Sequence, residues 1–356
     1  MIMKILERYI AKTVLASIAM VTLMLAGLQV FILFVNQLDS LGKGDYGIVQ
    51  AALFVFLQMP YEVYLFFPMA CLIGCLIGLG IMASHHELVV MRAAGMSIGQ
   101  VTLAVFKVAV LVIVLVTLVS ETLMPKMVRL ANDGRMEALS GGEALRTAKG
   151  VWMRHQNDFI HIGTILPNNR LEHVYQFHFD ETHRLRMARK IDHIDYVQGI
   201  WMAHDVAETD ISDDSTRALH TQTMQWDVPL NASILSVSGV EPDEMTLQGL
   251  YRYIHVQKKN HQAASNYVLV FWQRVIQPLT TVVMMMLAIP FIFGPLRSST
   301  MGSKLLAGIT VGFGFHIINR FLGSVSQVYQ FSPELAALAP TCLFALLGVY
   351  LMRRVR

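Results

Sequence analysis

Three arginines near the ends of long apolar runs are the residues of this chain with the clearest chemical capacity. Arg135 follows the third apolar run, Arg274 lies inside the fourth, and Arg320 lies near the end of the fifth. Charge within a bilayer is costly, so a base at such a position is a candidate functional group. The planar guanidinium also matches the geometry of phosphate. Anion binding and snorkelling of the side chain to the membrane surface both remain open for each arginine.

A second candidate is the segment SHHELVVMRAAGMS at 84–97, which separates two apolar runs. Ser84-x-x-Glu87 has the spacing of a capping box, and Gly95 is typical of the residue just past a helix end. These signals predict a helix within 84–96 of about ten residues, roughly 15 Å long. It would present two apolar and two charged side chains, Leu88, Met91, Glu87 and Arg92. The residues alone leave two interpretations open, a connector resting on lipid and a plug that docks in a groove of a partner.

Catalytic and metal chemistry find little support in the sequence. Gly302-Ser303-Lys304 is the nearest approach to a phosphate-binding loop, but it lacks the upstream glycine spacing and follows no strand. One group of histidines and carboxylates could form a metal site, but polar residues on the solvated face of a sheet explain it equally well. The group consists of His178, Asp180, His183, Asp192 and His193. We therefore predict no enzyme active site, no cofactor and no bound metal.

The composition is that of an integral membrane protein. Of 356 residues, 54% are hydrophobic and only 15% are charged, whereas soluble domains carry roughly 25% charged residues. The net charge of +3 is too small to indicate a nucleic-acid partner, and no basic run supports one. All three cysteines lie inside apolar runs, which excludes a disulfide framework for any water-facing domain.

Six apolar runs are long enough to cross a bilayer, which takes about 20 residues. They lie at about 13–35, 51–83, 100–122, 267–293, 303–325 and 334–352. Residues 1–12 place their apolar side chains on one helical face, as in a helix that lies in the membrane surface. The chain therefore predicts an α-helical membrane protein with six transmembrane helices, divided three and three.

Between the third and fourth runs lies a stretch of different character. Segments 158–166, 171–180 and 200–212 alternate or favour β-branched and aromatic residues, and turn signals such as Pro167-Asn168-Asn169 separate them. The prediction is an inserted all-β domain. It divides the chain into an N-terminal membrane half at 1–124, a β-domain at 125–245 and a C-terminal membrane half at 246–356.

The distribution of lysine and arginine near the run ends predicts the orientation. The opposite short loops carry only Lys43, whereas the other set of ends carries Lys4, Arg8, Lys12, Arg92, Arg297, Lys304, Arg353, Arg354 and Arg356. Both termini and the segment 84–97 are therefore predicted to be cytoplasmic. The β-domain would face outward, which in a bacterium is the periplasm.

Small residues predict close packing of the spans. Ala70, Gly74 and Gly78 repeat at four-residue intervals in the second run, and Gly308 and Gly312 form a GxxxG pair in the fifth. Such spacing lets helices approach closely. Packing within the chain and packing against another subunit both remain open.

Several stretches resemble a known family. They are RYIAKTV at 8–14, FFPMACLIGCLIGLG at 66–80, ELVVMRAAGMS at 87–97 and QPLTTVVMMMLAIPFIFGPLRSSTMG at 277–302. Over its whole length the chain resembles the LptF/LptG lipopolysaccharide export system permeases, also called the YjgP/YjgQ family. The stretches are most similar to the LptG branch.

The resemblance implies a transporter subunit of the inner membrane rather than an enzyme. Such permeases pair as an LptF–LptG heterodimer above two copies of a cytoplasmic ATPase, LptB. The cavity between them draws lipopolysaccharide from the outer leaflet, and the outer domain is a β-jellyroll that continues into a bridge of LptC and LptA. By the same resemblance, the helix at 84–96 is the coupling helix that docks into LptB. Glu87 would be its acidic contact, with Leu88, Met91 and Arg92 beside it.

The substrate contacts implied by the resemblance carry over less completely. Family members often place lysines at the outer end of the first span, whereas the matching region FILFVNQLDSLGKGDY at 31–46 retains only Lys43. Arg135, in ANDGRMEAL, matches a family arginine. We therefore expect the phosphates of lipopolysaccharide to be bound by the LptF partner or by Lys43, Arg135, Arg274 and Arg320.

Two other function classes compete with an exporter. A permease of the mechanotransmission type would relay ATPase motion to its outer domain without carrying lipid. An ion-coupled secondary carrier would need intramembrane carboxylates for a proton relay. The spans offer too few for an obvious relay, and Glu121 lies near the end of a run.

Overall fold

The computed structural model describes residues 2–139, 151–155, 157–165, 170–182, 184–197, 200–212, 215–226, 242–259, 264–293, 300–329 and 331–354. Within them, six helices are long and apolar enough to cross a membrane. They are α1 (Ile2–Gln37), α2 (Ile48–Ser84), α4 (Ile98–Thr122), α7 (Ser265–Phe293), α8 (Met301–Tyr329) and α9 (Pro333–Arg354). The predicted six spans are confirmed, with the difference that the N-terminal surface helix and the first span form one continuous helix.

Successive spans run in opposite directions, which gives the bundle two distinct ends. The terminal end is the one where α1 begins and α9 ends, and the domain end is the one where α1 ends and α2 begins. The short helix α3 (Glu87–Ala93) joins α2 to α4 at the terminal end. The domain end carries α5 (Met124–Leu139), α6 (Leu247–Lys259) and two 3₁₀ turns, Leu38–Ser40 and Pro242–Glu244.

The helix α5 occupies the start of the range predicted for the β-domain. Its 16 residues pack on α2 and bury Met124, Val128 and Ala131. Apolar residues at i, i+4 and i+7 are the pattern of an amphipathic helix. The first described strand begins at Val151.

The helix α2 lies at the centre of the bundle, where α1, α5, α7 and α8 all pack against it. A Cβ atom at Gly74 would lie 2.5 Å from the Cα of Ile18 on α1. One at Gly308 of α8 would clash with Leu76 of α2. Both sets of small residues therefore serve close packing within this chain.

Prolines inside the spans leave carbonyl groups without their helical donors. Pro68 lies within α2, and the side-chain amide of Gln277 on α7 donates to the carbonyl of Tyr64 at 2.8 Å. Farther along α7, the Thr280 hydroxyl lies 2.7 Å from that of Thr341 on α9, and both residues are buried. Neighbouring spans thus satisfy polar groups that water cannot reach inside a membrane.

The described strands of the inserted domain form one antiparallel sheet of six strands. They are β1 (Val151–His155), β2 (Asp158–Ile165), β3 (Leu171–Phe179), β4 (Leu185–Val197), β5 (Ile200–Ile211) and β6 (Thr216–Gln225). The strands lie side by side in chain order. The predicted all-β domain is confirmed, and its described strands form a meander. The crossing connections of a jelly roll are not among the described residues, and the predicted turn at 167–169 also lies outside them.

A single hydrophobic core packs on this sheet. It is built from Ile160, Ile162, Leu171, Val174, Ile191, Ile194, Trp201, Ala203, Val206 and Trp226. Trp226 follows β6 directly, and its indole N–H donates to the side-chain oxygen of Gln176 on β3 at 2.9 Å. This buried hydrogen bond fixes the end of the last described strand over the middle of the sheet.

Candidate functional site

The short helix α3 ends in a Schellman motif at the terminal end of the bundle. Gly95 adopts a φ of 93°, and its N–H donates to the Arg92 carbonyl at 3.0 Å. The Met96 N–H reaches the Met91 carbonyl at 3.0 Å, and both methionines are buried in the main core. The predicted stop at Gly95 is confirmed, because glycine takes this left-handed conformation at little cost.

The start of α3 differs from the prediction, and the capping box expected there was wrong. Ser84 belongs to α2, and its hydroxyl donates to the Ile81 carbonyl at 2.9 Å, an intrahelical bond that competes with capping. His86, at a φ of 61°, precedes α3 without a side-chain cap. A capping box lies instead at the start of α4, where Ser97 and Gln100 bond reciprocally at 3.3 and 2.9 Å.

Burial divides α3 into an anchoring face and an open face. Leu88 is 3% exposed and Met91 is 7% exposed, and both belong to the main core of the bundle. Val89 is 55% exposed and Val90 is 67% exposed. Arg92 is exposed as well. The sequence pattern indicated Leu88 and Met91 but not the two valines, because the orientation of so short a helix depends on its tertiary contacts.

Glu87 is the half-buried residue that links α3 to the first span. Its Oε1 accepts a hydrogen bond from the hydroxyl of Tyr9 at 3.2 Å. Its Oε2 is buried and has no hydrogen-bond partner among the described residues. A buried acceptor without a donor costs about 1–3 kcal/mol, and more for a charged group. A donor from another chain would remove this cost.

Arg135 organises the domain end of the bundle. Its Nε donates to Oε1 of Gln37 at 2.9 Å, and its Nη2 donates to the hydroxyl of Ser40 at 3.3 Å. The guanidinium carbon lies 5.5 Å from the centre of the Phe54 ring. A guanidinium has five N–H donors, so these two hydrogen bonds leave donors for an anion.

Lys43 lies in the loop next to Arg135. The loop is held by hydrogen bonds from the Asp45 N–H to the Ala138 carbonyl at 2.8 Å and from the Tyr46 N–H to the Lys43 carbonyl at 3.1 Å. Burial raises the pKa of the Tyr46 hydroxyl, and the nearby Arg135 cation opposes this shift. The Lys43 side chain is exposed. The structure thus places Lys43 and Arg135, two of the four predicted anion-binding residues, beside each other at the domain end.

Arg274 is buried, and its donors are directed at the backbone. Its Nη1 donates to the Met245 carbonyl, and its Nη2 lies 3.2 Å from the Pro242 carbonyl and 3.1 Å from that of Asp243. These carbonyls belong to the 3₁₀ turn and its following residue, where helical donors are lacking. Arg274 also lines a cavity of about 620 Å³ between α2, α4, α6 and α7. The hydrogen bonds of Arg274 to these carbonyls indicate that it holds the 3₁₀ turn in position.

Arg320 lies on the exposed side of α8. It acts electrostatically on Glu62 of α2, whose Oε2 accepts a hydrogen bond from Gln29 of α1 at 2.8 Å. His316, one turn before Arg320, stacks on Phe66 at a centroid distance of 4.9 Å. Glu62 was not among the predicted site residues, although a carboxylate inside the second apolar run is a signal that could reveal it.

The spans α1 and α8 expose apolar faces on either side of α2. A small core cluster joins the three helices, with Val21 from α1, Ala70 and Ile73 from α2, and Leu305 from α8. Large side chains elsewhere on the two outer spans remain exposed, including Met20, Leu23, Met24 and Phe31 on α1 and Phe313, Ile317, Phe321 and Val328 on α8. In a bilayer these faces contact lipid or another membrane helix.

Six spans, an inserted sheet, exposed apolar span faces, and bases at the domain end together define a multi-pass membrane permease with a large extramembrane domain. Besides the turn at 167–169, His183, Arg297 and Arg356 lie outside the described residues. Comparison with known proteins gives the particular family.

The family described as "Lipopolysaccharide export system permease LptF/LptG" matches residues 8–354. A curated protein of Haemophilus influenzae, "Lipopolysaccharide export system permease protein LptG", is 36% identical over 353 residues, which cover 99% of each chain. A protein of the same name from Escherichia coli strain K12 is 35% identical over 354 residues, which cover 98% of each chain. The chain belongs to the LptF/LptG family of lipopolysaccharide export permeases, which are multi-pass inner-membrane proteins.

Proposed function

We propose that this chain is the LptG-type half of a transporter that extracts lipopolysaccharide from the inner membrane with energy from a separate ATPase. The second half would be an LptF homologue, and the ATPase would be an LptB dimer. The extracted lipid would pass through the outer β-domain to LptC and then to LptA. The relatives named above support this assignment through their printed function and their coverage of the whole chain.

One observation carries the proposal. The exposed apolar faces of α1 and α8 flank α2, and the domain end of the same bundle carries Arg135 and Lys43. Lipopolysaccharide combines acyl chains with phosphates. Apolar span faces suit the acyl chains, and a planar guanidinium with free donors suits a phosphate. Arg320 would contribute from α8, whereas Arg274 would act by positioning the 3₁₀ turn.

The orientation belongs to the same proposal. The terminal end would be cytoplasmic because it carries Arg8, Lys12, Arg92, Lys304, Arg353 and Arg354. The domain end and the sheet would then lie in the periplasm. β1 and β6 are the edges of the described sheet, and nearly every side chain of β6 is exposed. An open edge is suited to strand pairing with the next β-domain of a bridge.

The coupling to ATP hydrolysis would take place at α3. Glu87 would accept a hydrogen bond from a donor of LptB, which relieves its unpaired Oε2. Val89, Val90 and Arg92 would contact the partner from the open face. Leu88 and Met91 would transmit the motion, because they anchor α3 in the core of the bundle.

Site-specific photocrosslinking tests the path of the lipid. A photoreactive amino acid replaces Phe31 of α1 or Phe321 of α8, which are 66% and 64% exposed. Leu118 of α4, at 65% exposed, is the matched control on another span. The chain is assembled with its LptF and LptB partners in membranes that contain lipopolysaccharide. We expect ATP-dependent crosslinks to lipopolysaccharide at Phe31 and Phe321 that exceed those at Leu118 severalfold.

The same experiment discriminates between the exporter and the mechanotransmission permease. Equal crosslinking at all three positions, together with ATP hydrolysis that still responds to the permease, would favour the relay of motion without carriage of lipid. If the chain purifies with neither an ATPase nor a second permease, both the exporter and the mechanotransmission permease are contradicted.

A further inference from the structure

A cluster of two histidines and one aspartate lies on the β-domain, away from the bases and from α3. Its members are His193 and Asp195 of β4 and His204 of β5. Their ligand atoms all lie within 4.8 Å of one another, and all three residues are half-buried. His193 Nε2 lies 3.9 Å from Asp195 Oδ2, and His204 Nε2 lies 3.6 Å from the same oxygen.

The strand register brings these side chains to one face. His193 pairs directly with His204, so both side chains project from the same side of the sheet. Asp195 follows two residues after His193 and shares that side. The neighbouring pair, Ile194 and Ala203, belongs to the hydrophobic core on the opposite side. The cluster therefore lies on the face away from the core.

A local irregularity aims a fourth side chain at the cluster. Ile191 and Ile194 both enter the core although they are three residues apart, so the alternation of β4 changes between them. Two non-glycine residues with left-handed backbone, His173 and Asp205, lie on the flanking strands at this row, with φ of 53° and 54°. Because the alternation changes here, the consecutive side chains of Asp192 and His193 meet, and Asp192 Oδ2 lies 3.1 Å from His193 Nδ1.

We infer that His193, Asp195 and His204 bind a divalent transition-metal ion of the Zn²⁺ class. Two imidazoles and one carboxylate, with an open position for water, are a common ligand set for this ion. Metal–ligand distances of about 2.0–2.1 Å place tetrahedral ligands about 3.4 Å apart. The two separations from Asp195 Oδ2, 3.6 and 3.9 Å, are close to this spacing, and the two imidazoles, whose ligand atoms lie within 4.8 Å, reach it by rotation of a ring.

The surrounding groups select one ligand atom of His193 and one of Asp195. A metal-binding histidine commonly bonds a carboxylate through its other ring nitrogen, which fixes the tautomer. Asp192 holds this position at Nδ1 of His193 and leaves Nε2 for the metal. Arg170 Nε lies 3.8 Å from Oδ1 of Asp195, which leaves Oδ2 facing the histidines. The two imidazole rings stack face to face, with centroids 4.6 Å apart and 12° between their planes, so one ring must turn for both Nε2 lone pairs to meet at the ion.

Metal titration of the full chain tests the inference. The chain is purified in detergent without a polyhistidine tag, stripped with EDTA and titrated with Zn²⁺ or with Co²⁺, whose visible absorption reports the ligand geometry. We expect one saturable ion per chain. His193→Gln and His204→Gln should abolish the binding, and Asp192→Asn should weaken it about 10–100-fold.

The control is His178→Gln, because His178 forms a pair with Asp158 at 2.6 Å but belongs to no cluster of three ligands within the described part of the chain. It should bind the metal as the parent chain does. Thermal unfolding in EDTA verifies that each variant is folded. If a histidine variant is unfolded, Asp195→Asn is tested in its place. Absence of saturable binding to the parent chain, or full binding by folded His204→Gln, would overturn the inference.

Discussion

Gln277 of α7 donates its side-chain amide to the carbonyl of Tyr64 in α2 at 2.8 Å. This carbonyl lies four residues before Pro68, which has no N–H to offer it. One span therefore supplies the donor that another lacks. The hydrogen bond joins the N-terminal and C-terminal membrane halves at the central helix of the bundle.

Removal of the Gln277 donor should destabilise the bundle. We expect Gln277→Ala to lower the free energy of unfolding by about 1–3 kcal/mol, because the Tyr64 carbonyl loses its donor in an apolar environment. Thermal unfolding of the detergent-purified chain measures the change. In a Pro68→Ala background the helix regains an N–H at that position, so the same substitution should cost less. Equal costs in both backgrounds would contradict the assignment.

A methyl group at Gly74 should disturb the contact between α1 and α2. Its Cβ would lie 2.5 Å from the Cα of Ile18, so the two backbones must separate. We expect Gly74→Ala to destabilise the chain by about 1–3 kcal/mol. Gly27→Ala is the matched control, since no atom lies within 4 Å of that position. It should be neutral, or stabilising by up to about 1 kcal/mol through helix propensity. Equal shifts of the unfolding temperature in Gly74→Ala and Gly27→Ala would contradict the close contact between α1 and α2.

Substitutions of Glu87 and Tyr9 distinguish a role of Glu87 in coupling to the ATPase from a role in holding the first span. Glu87→Ala should reduce the binding of LptB and the ATP-dependent release of lipopolysaccharide at least tenfold, because the proposed contact is lost. Tyr9→Phe removes the hydrogen bond within the chain and leaves the carboxylate in place. It should retain most of the activity. Similar losses in both variants would mean that Glu87 acts only by holding Tyr9.

Two of the arginines should behave in opposite ways. Arg274→Gln should lower the unfolding temperature, because buried carbonyls of the 3₁₀ turn lose their donors. Arg135→Gln should change stability less, because Gln37 Oε1 still accepts a hydrogen bond from the Tyr46 hydroxyl, and it should reduce the amount of lipopolysaccharide that copurifies with the transporter. Both quantities are measured on the same preparations. Loss of lipopolysaccharide from a fully stable Arg274→Gln variant would show that Arg274 binds substrate.

The turn between β3 and β4 should weaken in acid. Hydrogen bonds from Thr182, and then from the Arg184 N–H, hold the pKa of the Asp180 carboxyl well below its ordinary value. A lowered folded pKa stabilises the turn above the unfolded value of about 3.9, and this stabilisation is lost as the pH falls through the folded pKa. Hydrogen exchange of the turn should therefore accelerate below about pH 4.

The Asp180→Asn variant should lose most of this pH dependence and exchange faster at neutral pH. The matched control is Glu181→Gln, which changes the adjacent exposed carboxylate. It should keep the pH dependence of the parent chain. A parent turn whose exchange is no faster in acid, after correction for intrinsic rates, would contradict the role of Asp180.

Several features of this protein follow from the sequence because they depend on local pattern. Six long apolar runs require spanning helices, since only a helix satisfies its own backbone in lipid. Alternation and turn residues mark the inserted sheet, and Gly95 marks the end of α3 because it takes a left-handed conformation. The family can also be recognised from the sequence, because each stretch that resembles it is a continuous run of residues.

The tertiary structure alone decided which partner each side chain meets. Leu88 and Met91 are buried while Val89 and Val90 are open, because the packing of the bundle sets the rotation of a short helix. Arg274 binds carbonyls about thirty residues earlier in the chain, and strand register pairs His193 with His204. Burial and register arise from contacts between distant residues, whose free energies depend on the whole fold rather than on any local spacing.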